Sequence, residues 1–116
     1  MLPYRQNTGG KEISMKSIIA GRLYNTDTAT LVARVENMAD VRNYHYRCET
    51  LYCKKNGEWF LHGEGHALSE YGKSYGDNTY GWGQTIIPYN VEDAKAWLAE
   101  NDKVDEYITY FGEPEE

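Results

Sequence analysis

The chain has 116 residues, 41% of them hydrophobic, which suits one soluble domain whose core needs neither a metal nor a disulfide. No run of about eighteen apolar residues exists, so no membrane span is expected, and the lack of a basic-then-apolar leader makes the cytoplasm the expected compartment. The net charge of −6 is uneven: residues 92–116 hold nine acids against Lys95 and Lys103, a net of −7 that leaves the preceding chain at +1.

Residues 1–14 are polar, contain Pro3 and the Gly9-Gly10 pair, and are expected to be a disordered leader before a domain spanning 15–112. Residues 18–24 read as a first strand, with Ile18 and Ala20 on one side and Ile19, Gly21 and Leu23 on the other. Asn25-Thr26-Asp27-Thr28 has turn composition. A second strand follows at 30–35, where Leu31, Ala33 and Val35 alternate with Thr30, Val32 and Arg34. A longer extended run is expected at 44–54, rich in Tyr, Cys, Thr and Leu.

The strongest local signal is Lys55-Asn56-Gly57-Glu58, an Asn-Gly turn between two β-like runs that predicts a two-residue type I′ hairpin. That register sets Lys54 against Trp59, Cys53 against Phe60, Tyr52 against Leu61 and Leu51 against His62. One face then carries Tyr52, Leu61 and, diagonally, Trp59; the other carries Leu51, Cys53 and Phe60. Both are partly apolar, so the hairpin is expected in the centre of the sheet.

Residues 63–83 hold six glycines, together with Tyr71, Tyr75, Tyr80 and Trp82, and read as a long loop of the kind that is functional or mobile. Residues 85–88 suggest a short edge strand closed by Pro88. Asn90 with Asp93 has the form of a helix cap, and Val91, Ala94, Trp97 and Leu98 follow at helical spacing. A second, shorter helix is expected from Asp102 and Asp105, with Val104, Tyr107, Ile108 and Phe111 as its stripe, Gly112 as its stop and an acidic tail at 113–116. Together these elements predict an α+β fold: an antiparallel sheet of four or five strands, a meander with its Asn-Gly hairpin at 55–58, packed against two short C-terminal helices.

Cys48 and Cys53 lie five apart on one predicted strand, hence on opposite faces and roughly 17 Å from each other. A disulfide needs Cα atoms within about 7 Å, so no bridge is expected between them. With His62 and His66 they give Cys-x4-Cys-x8-His-x3-His, too short between the second cysteine and the first histidine for a classical zinc finger. Gly72-Lys73-Ser74 lacks the glycine five residues upstream that a phosphate loop requires, because Ala67 stands there. His62, Glu64, His66 and Glu70, with Ser69 and Ser74 nearby, show no nucleophile elbow. No catalytic, cofactor-binding or metal-binding residue is therefore assigned.

Three stretches carry a resemblance. Gly21-Arg22-Leu23-Tyr24-Asn25-Thr26-Asp27-Thr28-Ala29-Thr30, then Leu51-Tyr52-Cys53-Lys54-Lys55-Asn56-Gly57-Glu58-Trp59-Phe60-Leu61, and finally Glu92-Asp93-Ala94-Lys95-Ala96-Trp97-Leu98 through Tyr107 to Gly112 resemble small, mostly uncharacterised accessory proteins. Those proteins occur on plasmids, phages and integrative elements of Gram-positive bacteria. The resemblance implies no catalytic residue. It associates the chain with small acidic inhibitors of host defence nucleases, anti-CRISPR proteins among them.

The expected function is thus a non-catalytic accessory factor that binds a protein, with an acidic inhibitor of a nucleic-acid-processing enzyme as the form it is expected to take. Tyr71, Tyr75, Tyr80 and Trp82 are its expected loop anchors, and Glu92, Asp93, Glu100, Asp105, Glu106 and Glu113 its charged field. The alternative is a nucleic-acid-binding sheet built from Arg42, Arg47, Lys54 and Lys55 with Tyr44, Tyr46 and Tyr52, which the net charge opposes. A third expectation is a homodimer through the 85–88 edge and the aromatic loop.

Overall fold

Alternating side chains between residues 30 and 89 build the molecule around one sheet with two covered faces. The computed structural model describes residues 14–37 and 39–116, so the expected leader lies outside the described residues except for Ser14. The elements are β1 (Lys16–Ile19), β2 (Arg22–Asn25), β3 (Thr30–Glu36), β4 (Arg47–Cys53), β5 (Trp59–Gly65), β6 (Lys73–Ser74), β7 (Tyr80–Gly81), β8 (Gly83–Tyr89), α1 (Val91–Glu100) and α2 (Val104–Phe111). Strands β3-β4-β5-β8 form an antiparallel sheet in that order, and β1-β2 and β6-β7 are separate hairpins. The fold is α+β, with the two C-terminal helices packed on one face of the sheet.

The β4-β5 hairpin occupies the centre of the sheet, but its register differs from the two-residue expectation. Cys53 pairs with Trp59, Tyr52 with Phe60, Leu51 with Leu61 and Thr50 with His62. The turn closes by Gly57 N–H donating to the Lys54 carbonyl (2.9 Å), and Lys54 N–H then donates to the Glu58 carbonyl (2.6 Å). Gly57 alone of the loop residues is left-handed (φ 92°). This is a three-residue loop, a type I turn followed by a glycine bulge. Asn56 does not take the left-handed conformation that a type I′ turn needs; its Oδ1 accepts from Glu58 N–H (2.9 Å) instead.

A one-residue change of register moves every side chain to the other face. Leu51, Trp59 and Leu61 therefore lie together with Ala33 on the helix side, where they meet Ala94, Trp97 and Leu98 of α1. Tyr52 and Phe60 lie on the opposite face with Ile86 and stack at 5.1 Å. The cover on that face comes from a second departure. Residues 18–24 are not one strand but the β1-β2 hairpin, which reverses at Ala20 and Gly21, both left-handed (φ 52° and 78°). Alanine at the first of these positions is not a turn signal, which hid the reversal. The hairpin sets Tyr24 edge-on against Phe60 at 5.5 Å.

The extended run expected at 44–54 is a strand only from Arg47; before it, turns close through Asp40 and Asn43. The expected loop is shorter than 63–83, because β5 continues to Gly65 and β8 begins at Gly83. Strand β8 is one edge of the sheet, as expected, but it runs from Gly83 to Tyr89 rather than over 85–88, and Pro88 lies within it instead of closing it.

Both hydrogen bonds of the Asn90–Asp93 capping box form, at 2.7 and 3.1 Å. Ala94, Trp97 and Leu98 are buried, whereas Val91 is exposed. Helix α2 starts at Val104 rather than at Asp102, which is left-handed (φ 57°) between the helices. Tyr107 and Phe111 face the core, and Trp59 meets Tyr110 and Phe111 at 5.2 Å each. Val104, expected in the buried stripe, is 59% exposed.

The box satisfies donors at the helix start that nothing else in the helix can. Asn90→Ala should lower the unfolding free energy by about 1 kcal/mol with the fold retained, as read by urea denaturation.

Candidate functional site

The alternation of β4 directs Glu49 to the helix side, one pair along from the apolar core. Its carboxylate is 14% exposed and accepts from Trp97 Nε1–H of α1 (2.8 Å) and from the Tyr71 hydroxyl of the loop (2.6 Å). Arg47 lies 3.2 Å away and also reaches Glu70 at 3.6 Å. Tyr71 arrives by crossing Gly63, where a Cβ would stand 2.2 Å from its ring. Only glycine leaves that passage open. Sequence reasoning missed Glu49; an acid two residues from a buried Leu on the same face was the available signal.

The four loop aromatics divide into two pairs. Tyr71 and Trp82 turn inward: Trp82 stacks on Tyr46 (5.6 Å) and meets His66 edge-on (5.7 Å), and His66 in turn meets Tyr44 (5.0 Å). Tyr75 and Tyr80, both 59% exposed, stand on the β6-β7 hairpin, where the Tyr75 hydroxyl donates to the Trp82 carbonyl at 2.5 Å. The Lys73 ammonium lies 5.5 Å from the Tyr75 ring centre.

The acids of the helices remain outside. Glu92, Asp93, Glu100, Asp105 and Glu113 are exposed and Glu106 is half-buried. Glu92, Asp93, Asp105 and Glu106 occupy first helical turns, where the positive helix end favours them, and neither helix has a basic residue in its last turn. Among the described residues, the ion pairs join strand, turn and loop side chains and include no helix carboxylate. Tyr89, at the end of β8, registers this field. Burial first, then Glu49, Asp93, Glu100 and Glu70, push its hydroxyl up to about 12. Carboxylates from a strand, a helix and the loop therefore act on one point.

The residues weighed for nucleic acid do not share a surface. Tyr46 and Tyr52 are buried, Arg47 pairs on the helix side, Arg42 pairs with Asp40, and Lys54 pairs with Glu58 while lying 3.7 Å above the Tyr24 ring. Arg42, Tyr44 and Lys55 remain exposed.

The face covered by β1-β2 carries a polar group at its other end. Arg34 Nε–H donates to Cys48 Sγ (2.9 Å), the Tyr46 hydroxyl donates to Glu36, and His62 pairs with Gln84 (2.9 Å). Cys48 is fully buried, so this thiol offers no nucleophile to a substrate. Cys48 and Cys53 are free thiols. Among the described residues no three His, Cys, Asp or Glu side chains are arranged to hold a metal, and no helix is long and apolar enough to cross a membrane.

Tyr46 and Tyr71 are also pushed above the usual phenol range, by burial first and then by their hydrogen bonds to Glu36 and Glu49. With Tyr89, they keep protons in the folded chain that the unfolded chain releases near pH about 10. Their stabilisation is complete below that pH and is lost as pH rises through the folded values, about 12 for Tyr89. An alkaline absorbance titration should show a late tyrosinate phase accompanied by unfolding, reduced in Tyr89→Phe. One early phase in a chain that stays folded would contradict it.

No family model matches the chain, and no curated protein or solved structure matches it either.

Proposed function

We propose that the chain is a non-catalytic protein-binding factor that engages a basic, nucleic-acid-handling partner through the carboxylates of α1 and α2. Tyr75 and Tyr80 add an exposed aromatic contact on the loop hairpin. One observation carries the reading: among the described residues no helix carboxylate is in an ion pair, whereas five of the strand and turn cations are, with Lys16, Lys55 and Lys73 outside any described ion pair. Arg22 and Lys54 pair with Glu58, Arg34 with Glu36, Arg42 with Asp40, and Arg47 with Glu49 and Glu70. The nine acids of residues 92–116, a net of −7 with Lys95 and Lys103, thus keep their charge outside the described ion pairs.

A fixed negative surface accelerates encounter with a basic partner and selects against acidic ones. The surface that complements it on the partner is the kind that holds phosphates, since lysine and arginine supply that affinity too. Occupying it excludes nucleic acid, which makes inhibition the natural consequence of binding. The resemblance to mobile-element accessory proteins suits such a role against a host nuclease.

Glu100 ends α1 and Glu113 follows α2, so lysine at either position complements the helix dipole and keeps the fold. Glu100→Lys combined with Glu113→Lys should cut capture of the partner from nuclease-treated host lysate roughly tenfold at low salt. Wild-type capture should also weaken as salt rises. Undiminished capture by the double variant would refute the acidic-face contact.

A further inference from the structure

An apolar groove lies between the end of α1 and helix α2. It has a volume of 360 Å³ and is lined by Ala99 of α1, Val104, Tyr107 and Ile108 of α2, and Pro114 beyond it. Helix α2 has no fully buried residue, because its apolar side chains are shared between two sides. Tyr107 and Phe111 pack on the core, whereas Val104 is left 59% exposed at the groove. The size lies at the lower end of small-ligand pockets, about 300–1,000 Å³, and suits a few aliphatic side chains.

We infer that this groove receives an amphipathic helix of the partner, with aliphatic side chains at helical spacing and lysine or arginine beside them. The inference rests on the acidic-face reading and names the chemistry of the partner segment. Charge complementarity selects the occupant. Glu100 neighbours Ala99 in the chain, Asp105 neighbours Val104, and Glu113 and Glu115 flank Pro114, against Lys103 beside Val104 and Lys95 one turn before Ala99, whose ammonium lies 5.4 Å from the Phe111 ring. A second copy of this chain would set acids against acids, and an anionic lipid surface would be repelled in the same way. An apolar stripe flanked by cations satisfies both parts of the site, in the helix-in-groove manner.

The test uses the full chain, labelled with ¹⁵N, and two synthetic peptides of equal charge: an amphipathic Leu/Lys helix and a Ser/Lys control. The Leu/Lys peptide should bind at least about tenfold more tightly than the control, because only it buries aliphatic surface. Its amide shifts should centre on Ala99, Val104, Tyr107 and Ile108. Val104→Ser alters an exposed side chain, so the fold should survive while Leu/Lys affinity falls about fivefold or more. Equal binding of the two peptides, or shifts centred on the β6-β7 hairpin, would overturn the groove inference and leave the acidic-face reading standing. Absence of binding by either peptide would overturn both.

Discussion

Much of the arrangement depends on one carboxylate. Glu49 sits where the central sheet, helix α1 and the loop meet, and it accepts a hydrogen bond from each of the last two. A nearly buried charge survives in such a place only if its lone pairs are used and a counter-ion is near. Trp97, Tyr71 and Arg47 meet that demand together. Each is thereby restrained: the indole sets α1 over the sheet, the phenol draws the loop across Gly63, and the guanidinium reaches on to Glu70. Helix α1 and the loop are thus both tied to one carboxylate of the sheet.

The two faces of the sheet solve burial differently. On the helix side, Ala33, Leu51, Trp59 and Leu61 meet α1 and form an apolar core that gives way to the Glu49 group. On the other side, the small β1-β2 hairpin covers the aromatic residues, and polar pairs continue beyond it. There Arg34 donates to Cys48, Tyr46 to Glu36, and His62 pairs with Gln84. The helix side instead leaves the carboxylates of α1 and α2 outside the described ion pairs.

Periodicity and capping residues revealed the helices, and the Asn-Gly pair revealed the central hairpin. The register was hidden because Asn56 can satisfy a turn in two ways, by a left-handed backbone or by its side chain, and residue identity does not distinguish them. The reversal at Ala20 was hidden because alanine seldom turns. Among the loop aromatics, composition could not separate Tyr75 and Tyr80, which stay outside, from Tyr71 and Trp82, which are drawn in by partners distant in sequence. Val104 fits the apolar spacing of α2 but faces the groove, because a stripe on a short helix can be wider than the core that it covers. The acids were legible from charge counting, whereas their standing outside the described ion pairs required the structure.

Glu49 holds both α1 and the loop in place. Amide hydrogen exchange on the wild type and on Glu49→Ala tests this directly. The account predicts protected amides in both regions of the wild type, with faster exchange across residues 66–82 and α1 in the variant and unchanged exchange in β1-β2. Wild-type exchange rates in the loop and α1 of the variant would contradict it, as would equal acceleration in every element.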